Sequence, residues 1–229
     1  MTSTANAGNP PALPPRIDAV LFDFGGVFTE SPFEAARNFA GTIGVDPAVM
    51  LHTVFGPYDR DSDHPWHRLE RGEMGLVEAR EQILELGRGH GFDADLFRVL
   101  AALGRSTGPR ESFLERARAL RERGIASAIV TNNVREFRDA WRALIPVDEL
   151  FDLVVDSCEV GFRKPDPRIF HKALEMLGGI PPQHAVFLDD YEGNVIAARE
   201  LGVHGIHVEP DPARALAEYD RLVHMHEVV

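Results

Sequence analysis

The sequence predicts an α/β fold, in which a Rossmann-like parallel sheet carries helices on both faces and a helical segment is inserted. Three observations predict it. Short apolar runs end in polar residues, as buried parallel strands do. Helical patterns that stop at glycine separate these runs, and such alternation indicates a parallel sheet. One segment, residues 32–105, holds helical patterns alone, so we expect an insert after the first strand.

The first predicted strand delivers a single carboxylate to its carboxyl end. The apolar run of residues 20–22 leads to Asp23, and Gly25 and Gly26 follow closely. A helix is a poor alternative, because paired glycines would break it. The pattern therefore indicates a buried strand that presents an aspartate.

Four further apolar runs extend the predicted sheet, and each is followed by polar residues. They cover residues 125–130, 150–155, 185–188 and 205–208. Helical spacing predicts helices that are each followed by glycine, over residues 111–123, 167–177 and 194–201. Inside the insert, residues 33–43 and 76–86 have helical patterns.

The chain is expected to divide into three parts. Residues 1–15 form a flexible tail, residues 16–31 with 106–229 form the core domain, and residues 32–105 form the inserted domain. The tail carries no charged side chain, and it lacks the basic start and apolar core of a signal peptide.

Composition narrows the classes of partner. The chain has 229 residues and a net charge of -12, which argues against nucleic acid or an anionic membrane surface as a partner. No apolar run is long enough to cross a bilayer. The lone Cys158 excludes an intramolecular disulfide and fits a cytoplasmic location.

Carboxylates follow two of the predicted strands. An aspartate at a strand end, such as Asp23, serves as nucleophile, metal ligand or both. Asp189 and Asp190 follow the run of residues 185–188, and paired carboxylates suit a hard cation such as Mg²⁺. Because adjacent acids repel each other, a cation or a lysine is needed to keep both ionised.

Two further motifs suit a phosphate group. Thr131 and Asn132 follow the second predicted strand, where a hydroxyl and backbone N–H groups can hold phosphate oxygens. Lys164 stands before a predicted helix in a setting made rigid by Pro165 and Pro167. A lysine fixed there could neutralise clustered carboxylates and a phosphoryl group.

Topology would bring these motifs to one place. In an open parallel sheet, ligands bind outside the carboxyl ends of the strands, so Asp23, Thr131, Asp189 and Asp190 would share a rim. Each motif alone also has an ordinary structural explanation. Strand-end aspartates cap turns and helices, Thr and Asn are common in turns, and a lysine in a proline-rich turn is often solvated.

Taken in order, the motifs resemble the haloacid dehalogenase-like hydrolase superfamily over nearly the whole chain after Ile17. That superfamily places an Asp nucleophile after strand one, Thr or Ser after strand two, a Lys before a later helix and an acidic pair after strand four. The resemblance is strongest to the branch of glucose-1-phosphatases and the phosphatase domain of soluble epoxide hydrolases. It is carried by residues 22–27, 69–73, 161–167 and 187–198.

The resemblance implies an α-helical cap for the insert and a Mg²⁺-dependent phosphatase for the chain. Asp23 would attack phosphorus and become an aspartyl-phosphate, which water then hydrolyses. Asp23, Asp190 and the Gly25 carbonyl oxygen would bind Mg²⁺, and Asp189 would assist directly or through water. Asn194 would lie close to the metal.

The same resemblance assigns the phosphate contacts. Thr131 and Asn132 would hold the phosphoryl oxygens, and Lys164 would offset the charge of nucleophile and phosphate. This arrangement agrees with phosphoryl transfer, which depends mostly on positioning and charge stabilisation. The implied partner is a small phosphorylated, sugar phosphate-like metabolite, bound by a monomer or homodimer. Tyr58 and Trp66 either line its pocket or pack the core of the cap.

Gly25 departs from the family pattern. Most phosphatases of the superfamily carry a second Asp there, an acid/base group typically worth about 10²–10⁴ in rate. Either the substrates have good leaving groups, or a cap residue substitutes, or catalysis is slow or absent. Candidate substitutes in the cap are Asp59, Asp61, Asp63, His64, His67 and Glu73.

Two other functions stay open. A 2-haloacid dehalogenase also lacks the second Asp, but its Asp attacks carbon without a metal, so it has no need of the pair Asp189 and Asp190. A non-catalytic binding or regulatory protein would keep the fold without needing Asp23, Thr131 and Lys164 together.

Overall fold

The computed structural model describes residues 16–103 and 108–224. At its centre lies a five-stranded sheet with the strand order β3-β2-β1-β4-β5, and every neighbouring pair is parallel. The strands are β1 (Ala19–Phe22), β2 (Ala126–Thr131), β3 (Leu153–Asp156), β4 (Ala185–Asp189) and β5 (His204–His207). The predicted parallel α/β sheet is confirmed.

Helices connect the strands. In chain order the described α-helices are α1 (Pro32–Thr42), α2 (Pro47–Phe55), α3 (Pro65–Glu70), α4 (Leu76–Gly89), α5 (Leu96–Leu103), α6 (Glu111–Glu122), α7 (Arg138–Arg142), α8 (Val147–Leu150), α9 (Ser157–Val160), α10 (Pro167–Met176), α11 (Glu192–Glu200) and α12 (Ala213–His224). Among the residues that the structure describes, no helix is long and apolar enough to cross a membrane.

Helices cover both faces of the sheet, as predicted, because successive strand side chains point to opposite sides. On one face, Val20 and Phe22 of β1 pack in a cluster with residues of α6 and α12. On the other face, Ala19 and Leu21 pack with residues of α10 and α11. The central strands are thus buried on both sides, which explains their nearly continuous apolar sequence.

The inserted segment is helical. Helices α1 to α5 follow β1, and the described residues of this segment contain no strand. Their buried apolar side chains form a separate cluster, which Val134 and the partly buried Phe137 join from the region after β2. The division into core and cap stays a prediction, and the predicted tail at residues 1–15 lies outside the described residues.

One predicted strand begins too early. The apolar run starts at Leu150, but Leu150 ends α8 and β3 begins only at Leu153. The error arises because Leu150 and Phe151 are buried in the same apolar cluster as β1. Burial alone does not distinguish a strand from a short helical turn that packs on the sheet.

Candidate active site at the carboxyl edge of the sheet

Strand register brings the acidic residues together. Phe22 pairs with Leu188 in the parallel ladder between β1 and β4, and the Asp23 N–H donates to the Leu188 carbonyl at 2.8 Å. Asp23 and Asp189 therefore leave adjacent strands at the same level. Carboxylate oxygens of Asp23, Asp189 and Asp190 lie within 4.8 Å of one another.

Lys164 joins two of these carboxylates. Its Nζ lies 2.8 Å from Asp23 Oδ1 and 2.6 Å from Asp189 Oδ2, and the lysine is 1% exposed. Burial disfavours the charged ammonium, but Asp189 and Asp23 outweigh it and raise the pKa of Lys164 above its ordinary value. The lysine is therefore a fixed positive charge beside the candidate nucleophile.

The adjacent acids differ in their surroundings. Both oxygens of Asp189 accept hydrogen bonds. Asn194 Nδ2 lies 3.1 Å from each of them. Lys164 Nζ donates to Oδ2, and the Tyr191 N–H donates to Oδ1 at 2.8 Å. Asp190 Oδ2 is buried without a hydrogen-bond partner. Asp190 thus has an oxygen free for a ligand, while Asp189 is held by the protein.

Negative charge exceeds positive charge at this point, because one ammonium faces three carboxylates. Burial raises the pKa of Asp23 to about 7, with Lys164 opposing and Asp189 adding to the shift. Burial and repulsion from Asp189 and Asp23 raise the pKa of Asp190 well above its ordinary value. A cluster of oxygen ligands with excess negative charge and one unsatisfied oxygen fits Mg²⁺.

The loop after β2 is tied to the lysine. Asn132 Nδ2 donates to the Lys164 carbonyl at 3.0 Å, and the Lys164 N–H donates to Asn132 Oδ1 at 2.7 Å. Thr131 ends β2 and is 3% exposed. The Asn132 side chain therefore positions Lys164, a role that the sequence did not indicate. Its predicted part in phosphate binding, like that of Thr131, stays a prediction.

A cavity gives access to the acidic cluster. It has a volume of about 1290 Å³ and is lined by Gly26, Asp190, residues of α1 and residues 207–210 after β5. Arg110 also lines it and donates to the Gly26 carbonyl at 2.8 Å. A ligand can therefore reach Asp190 from the side on which the inserted helices meet the sheet.

The family model for haloacid dehalogenase-like hydrolases matches residues 17–202. The chain belongs to this hydrolase family. Mouse acyl-CoA dehydrogenase family member 10 is 30% identical over 227 residues, which cover 90% of this chain and 19% of that protein. Rat bifunctional epoxide hydrolase 2 is 35% identical over 113 residues, or 48% of this chain and 20% of that protein. The chain thus spans about a fifth of these relatives, and the predicted resemblance is confirmed.

A solved structure supports the fold. The haloacid dehalogenase family enzyme of Bacteroides thetaiotaomicron, in complex with magnesium and inorganic phosphate, aligns with a TM-score of 0.59 and 22% identity. The alignment covers 85% of this chain and 96% of that one. At this identity the likeness establishes the shared fold.

The two glycines after Asp23 serve different purposes in this hydrolase. Gly26 has φ 74°, and a Cβ there would fall far inside van der Waals contact with the Asp190 carboxyl group. A Cβ on Gly25 would lie 3.3 Å from Cδ of Pro32, the first residue of α1. Gly26 is therefore required because Asp190 approaches it closely. At Gly25 the space for a side chain is narrow because the first residue of α1 lies close by.

Replacing Gly26 by alanine is expected to disrupt the acidic cluster. The Gly26→Ala variant should lose about 1–3 kcal/mol of unfolding free energy, because strain at positive φ adds to displacement of Asp190. Gly44→Ala is the matched control, since Gly44 has φ 69° and a Cβ there would meet no atom within 4 Å. Urea unfolding of both variants checks this. If Gly26→Ala and Gly44→Ala lose the same unfolding free energy, Asp190 does not pack closely against Gly26.

Magnesium is expected to stabilise the hydrolase more at pH 8 than at pH 5. Asp23 has a pKa of about 7 in the fold against an ordinary value of 3.8, so its contribution to stability is fully present below about 4 and is lost as pH rises through about 7. Mg²⁺ at roughly 100 times its dissociation constant should add about 2.7 kcal/mol. Unfolding at pH 5 and pH 8, with and without Mg²⁺, measures both effects. If Mg²⁺ raises the unfolding free energy equally at both pH values, the acidic cluster does not carry excess negative charge.

The six cap residues that could replace the acid/base aspartate absent at position 25 do not bind Asp23 in the part of the chain that the structure describes. Within residues 16–103 and 108–224, no hydrogen bond or ion pair joins any of the six to Asp23. Asp61 and Glu73 both pair with Arg71. His64 caps α3, and burial lowers its pKa to about 4. His67 is fully buried.

A contact between the core and the inserted helices was missed in the sequence. The Arg163 Nε donates to Glu70 Oε2 at 2.6 Å, and the Tyr58 hydroxyl donates to Glu70 Oε1 at 2.7 Å. Arg163 adjoins the predicted catalytic lysine, and this was the one available signal. Trp66 instead packs against Phe55 with ring centroids 5.0 Å apart, so it belongs to the core of the insert.

Proposed function

We propose that this chain is a Mg²⁺-dependent phosphatase that hydrolyses a small, sugar phosphate-like metabolite through an aspartyl-phosphate. One observation carries the proposal. Lys164 bridges Asp23 and Asp189 while Asp190 keeps an unpartnered buried oxygen in the same cluster. Nucleophile, fixed cation and metal ligands therefore meet at one point, as phosphoryl transfer requires.

In the first step, a carboxylate oxygen of Asp23 forms a bond to phosphorus, and the bond from phosphorus to the ester oxygen breaks. The ester oxygen leaves as an alkoxide, which takes a proton from water to give the alcohol. Lys164 stays charged throughout, so it offsets the negative charge on Asp23 and on the phosphoryl oxygens. Thr131 and the backbone at Asn132 hold those oxygens.

In the second step, water attacks phosphorus of the aspartyl-phosphate, which releases inorganic phosphate and restores the Asp23 carboxylate. Asp23, Asp190 and the Gly25 carbonyl oxygen would hold Mg²⁺, which would neutralise charge and orient the phosphoryl group. Asp189, which Lys164 and Asn194 already engage, assists through water. Asn194 fixes the orientation of Asp189 through its two hydrogen bonds.

The missing acid shapes the substrate that we propose. Position 25 lacks a carboxylate, and the six candidate cap residues make no hydrogen bond or ion pair with Asp23 among the residues that the structure describes. We propose that the leaving group departs with little help from a general acid. Esters of acidic alcohols, such as anomeric sugar phosphates, meet this condition. We place such a phosphatase in the cytoplasm, acting on a small molecule.

The acidic pair favours phosphate over a haloacid substrate. A dehalogenase that attacks carbon needs no metal, so a desolvated Asp190 beside Asp189 and Asp23 would only cost stability. In a Mg²⁺ enzyme the same residues are ligands. The cluster therefore supports the phosphatase over the dehalogenase, and over a protein without catalytic activity.

Release of phosphate from p-nitrophenyl phosphate tests the proposal, because this ester has a good leaving group. We expect turnover with Mg²⁺ and loss of turnover with excess EDTA, restored by added Mg²⁺. Release of chloride from 2-chloropropionate without Mg²⁺ is measured in parallel. Chloride release without phosphate release would establish the dehalogenase, and release of neither would overturn the catalytic role.

A further inference from the structure

A buried arginine lies at the contact between the core and the inserted helices. Arg163 is 0% exposed, although it carries a charge. Its Nε pairs with Glu70 Oε2, and its guanidinium carbon lies 4.4 Å from the ring centroid of Tyr58. Glu70 ends α3, so the arginine links the segment before α10 to the insert.

The rest of this guanidinium group is unsatisfied. Both terminal nitrogens of Arg163 are buried and have no acceptor within hydrogen-bond distance, although Tyr58 as well as Glu70 stabilises the charged guanidinium against burial and helps to raise its pKa. Asp61 Oδ1 lies 3.8 Å from one of these nitrogens, which exceeds hydrogen-bond range. Buried donors without acceptors are costly, more so on a charged group. An acceptor from outside the protein would remove this cost.

Arg163 is linked to the proposed phosphoryl site through the chain and through a pair of aromatic rings. Arg163 directly precedes Lys164, whose backbone is held by Asn132. The Tyr58 ring packs against the ring of Tyr191, with centroids 5.2 Å apart, and Tyr191 follows Asp190. These links join Arg163 to Lys164 and to the residue after Asp190, which flank the proposed phosphoryl site.

The charges select the kind of acceptor. Glu70 already neutralises the Arg163 cation through a direct contact. The nearby Asp61 is paired with Arg71. A second carboxylate would therefore meet repulsion from Glu70, while the cations of Arg163 and Arg71 are already paired. A neutral oxygen, such as a hydroxyl group, meets no such repulsion and can accept from the free N–H groups.

We propose that Arg163 is a specificity-determining residue that binds a hydroxyl oxygen on the leaving group of the phosphate ester. The proposal rests on the proposed phosphatase function. It gives that site a preference for polyol or sugar phosphates over alkyl phosphates of the same length. The cap would place Tyr58 and Glu70 over the arginine and so fix its orientation.

Three phosphate esters with three-carbon chains test the preference: propyl phosphate, glycerol 3-phosphate and 3-phosphoglycerate. Because their leaving groups are poor without a general acid, they are used as competitive inhibitors of p-nitrophenyl phosphate hydrolysis. The readout is the ratio of the inhibition constant of propyl phosphate to that of glycerol 3-phosphate. Arg163→Lys keeps a charge for Glu70 but removes the fork of donors, so we expect this ratio to fall about 10-fold or more. Arg71→Lys is the matched control, because each guanidinium nitrogen of Arg71 has a partner.

A second variant keeps the proposal falsifiable if Arg163→Lys folds poorly. Glu70→Gln removes the neutralising charge and keeps a polar group beside Arg163. We expect this variant to bind 3-phosphoglycerate several-fold more tightly relative to glycerol 3-phosphate, as measured by the two inhibition constants, a change that a purely structural arginine would not produce.

The outcomes separate the two proposals. If the wild-type protein hydrolyses p-nitrophenyl phosphate but glycerol 3-phosphate inhibits no better than propyl phosphate, or neither variant changes a ratio, the inference is wrong. If the wild-type protein does not hydrolyse p-nitrophenyl phosphate, the proposed function fails and this inference fails with it. The inference about Arg163 is also wrong if the ratio falls by the same factor in Arg163→Lys and Arg71→Lys.

Discussion

The Asp23→Asn variant is expected to lose turnover of p-nitrophenyl phosphate by roughly 10⁴-fold or more, because an amide cannot attack phosphorus. Its fold should persist, since asparagine has the same shape and removes one charge from a cluster with excess negative charge. Phosphate release at saturating Mg²⁺ measures the loss, and urea unfolding measures the stability.

Asp93→Asn is a suitable control for the charge change, because the Asp93 side chain is 63% exposed and lies in the insert before α5. That variant should keep wild-type turnover. A folded Asp23→Asn protein with turnover close to that of the wild type would remove Asp23 from the role of nucleophile.

Replacing Lys164 by methionine is expected to have the second large effect, on stability as well as on turnover. Without the ammonium, Asp23 and Asp189 are left as buried carboxylates with no opposing charge. Breaking a buried ion pair in this way typically costs about 3–5 kcal/mol. Urea unfolding without Mg²⁺ measures the loss, and added Mg²⁺ should recover part of it by supplying positive charge.

Lys172→Met provides the comparison, since Lys172 is exposed and forms a surface pair with Glu175 at 3.2 Å. Its stability should change by less than about 1 kcal/mol. If the two lysine variants unfold at the same urea concentration, Lys164 does not hold the acidic cluster together.

Much of the site follows from local sequence because parallel strands end at one edge. Asp23 and Asp189 each come at the end of an apolar run, and the register between β1 and β4 places them side by side. Lys164 was recognised through its rigid proline setting and the family resemblance. The shared edge of Asp23 and Asp189 could be predicted because alternating apolar runs and helices indicate parallel strands.

The contact between Arg163 and Glu70 could not be predicted in this way. The residues lie 93 positions apart, and their meeting depends on how the inserted helices pack on the sheet. Helical periodicity reveals which face of a helix is apolar but not its orientation against another layer. For the same reason, the sequence could not show that Gly25 faces Pro32 or that Asn132 holds Lys164.

The central claim is that Asp23 carries the phosphoryl group, and chemical trapping tests it most directly. Because position 25 lacks the acid/base carboxylate, breakdown of the intermediate should be slow enough for it to accumulate. The enzyme is mixed with p-nitrophenyl phosphate and Mg²⁺, quenched in acid and reduced with borohydride, which converts an aspartyl-phosphate to homoserine. Peptide mass spectrometry should find homoserine at position 23, and only when both substrate and Mg²⁺ are present. Phosphate release with unmodified aspartate at position 23, or homoserine at another position, would contradict the account.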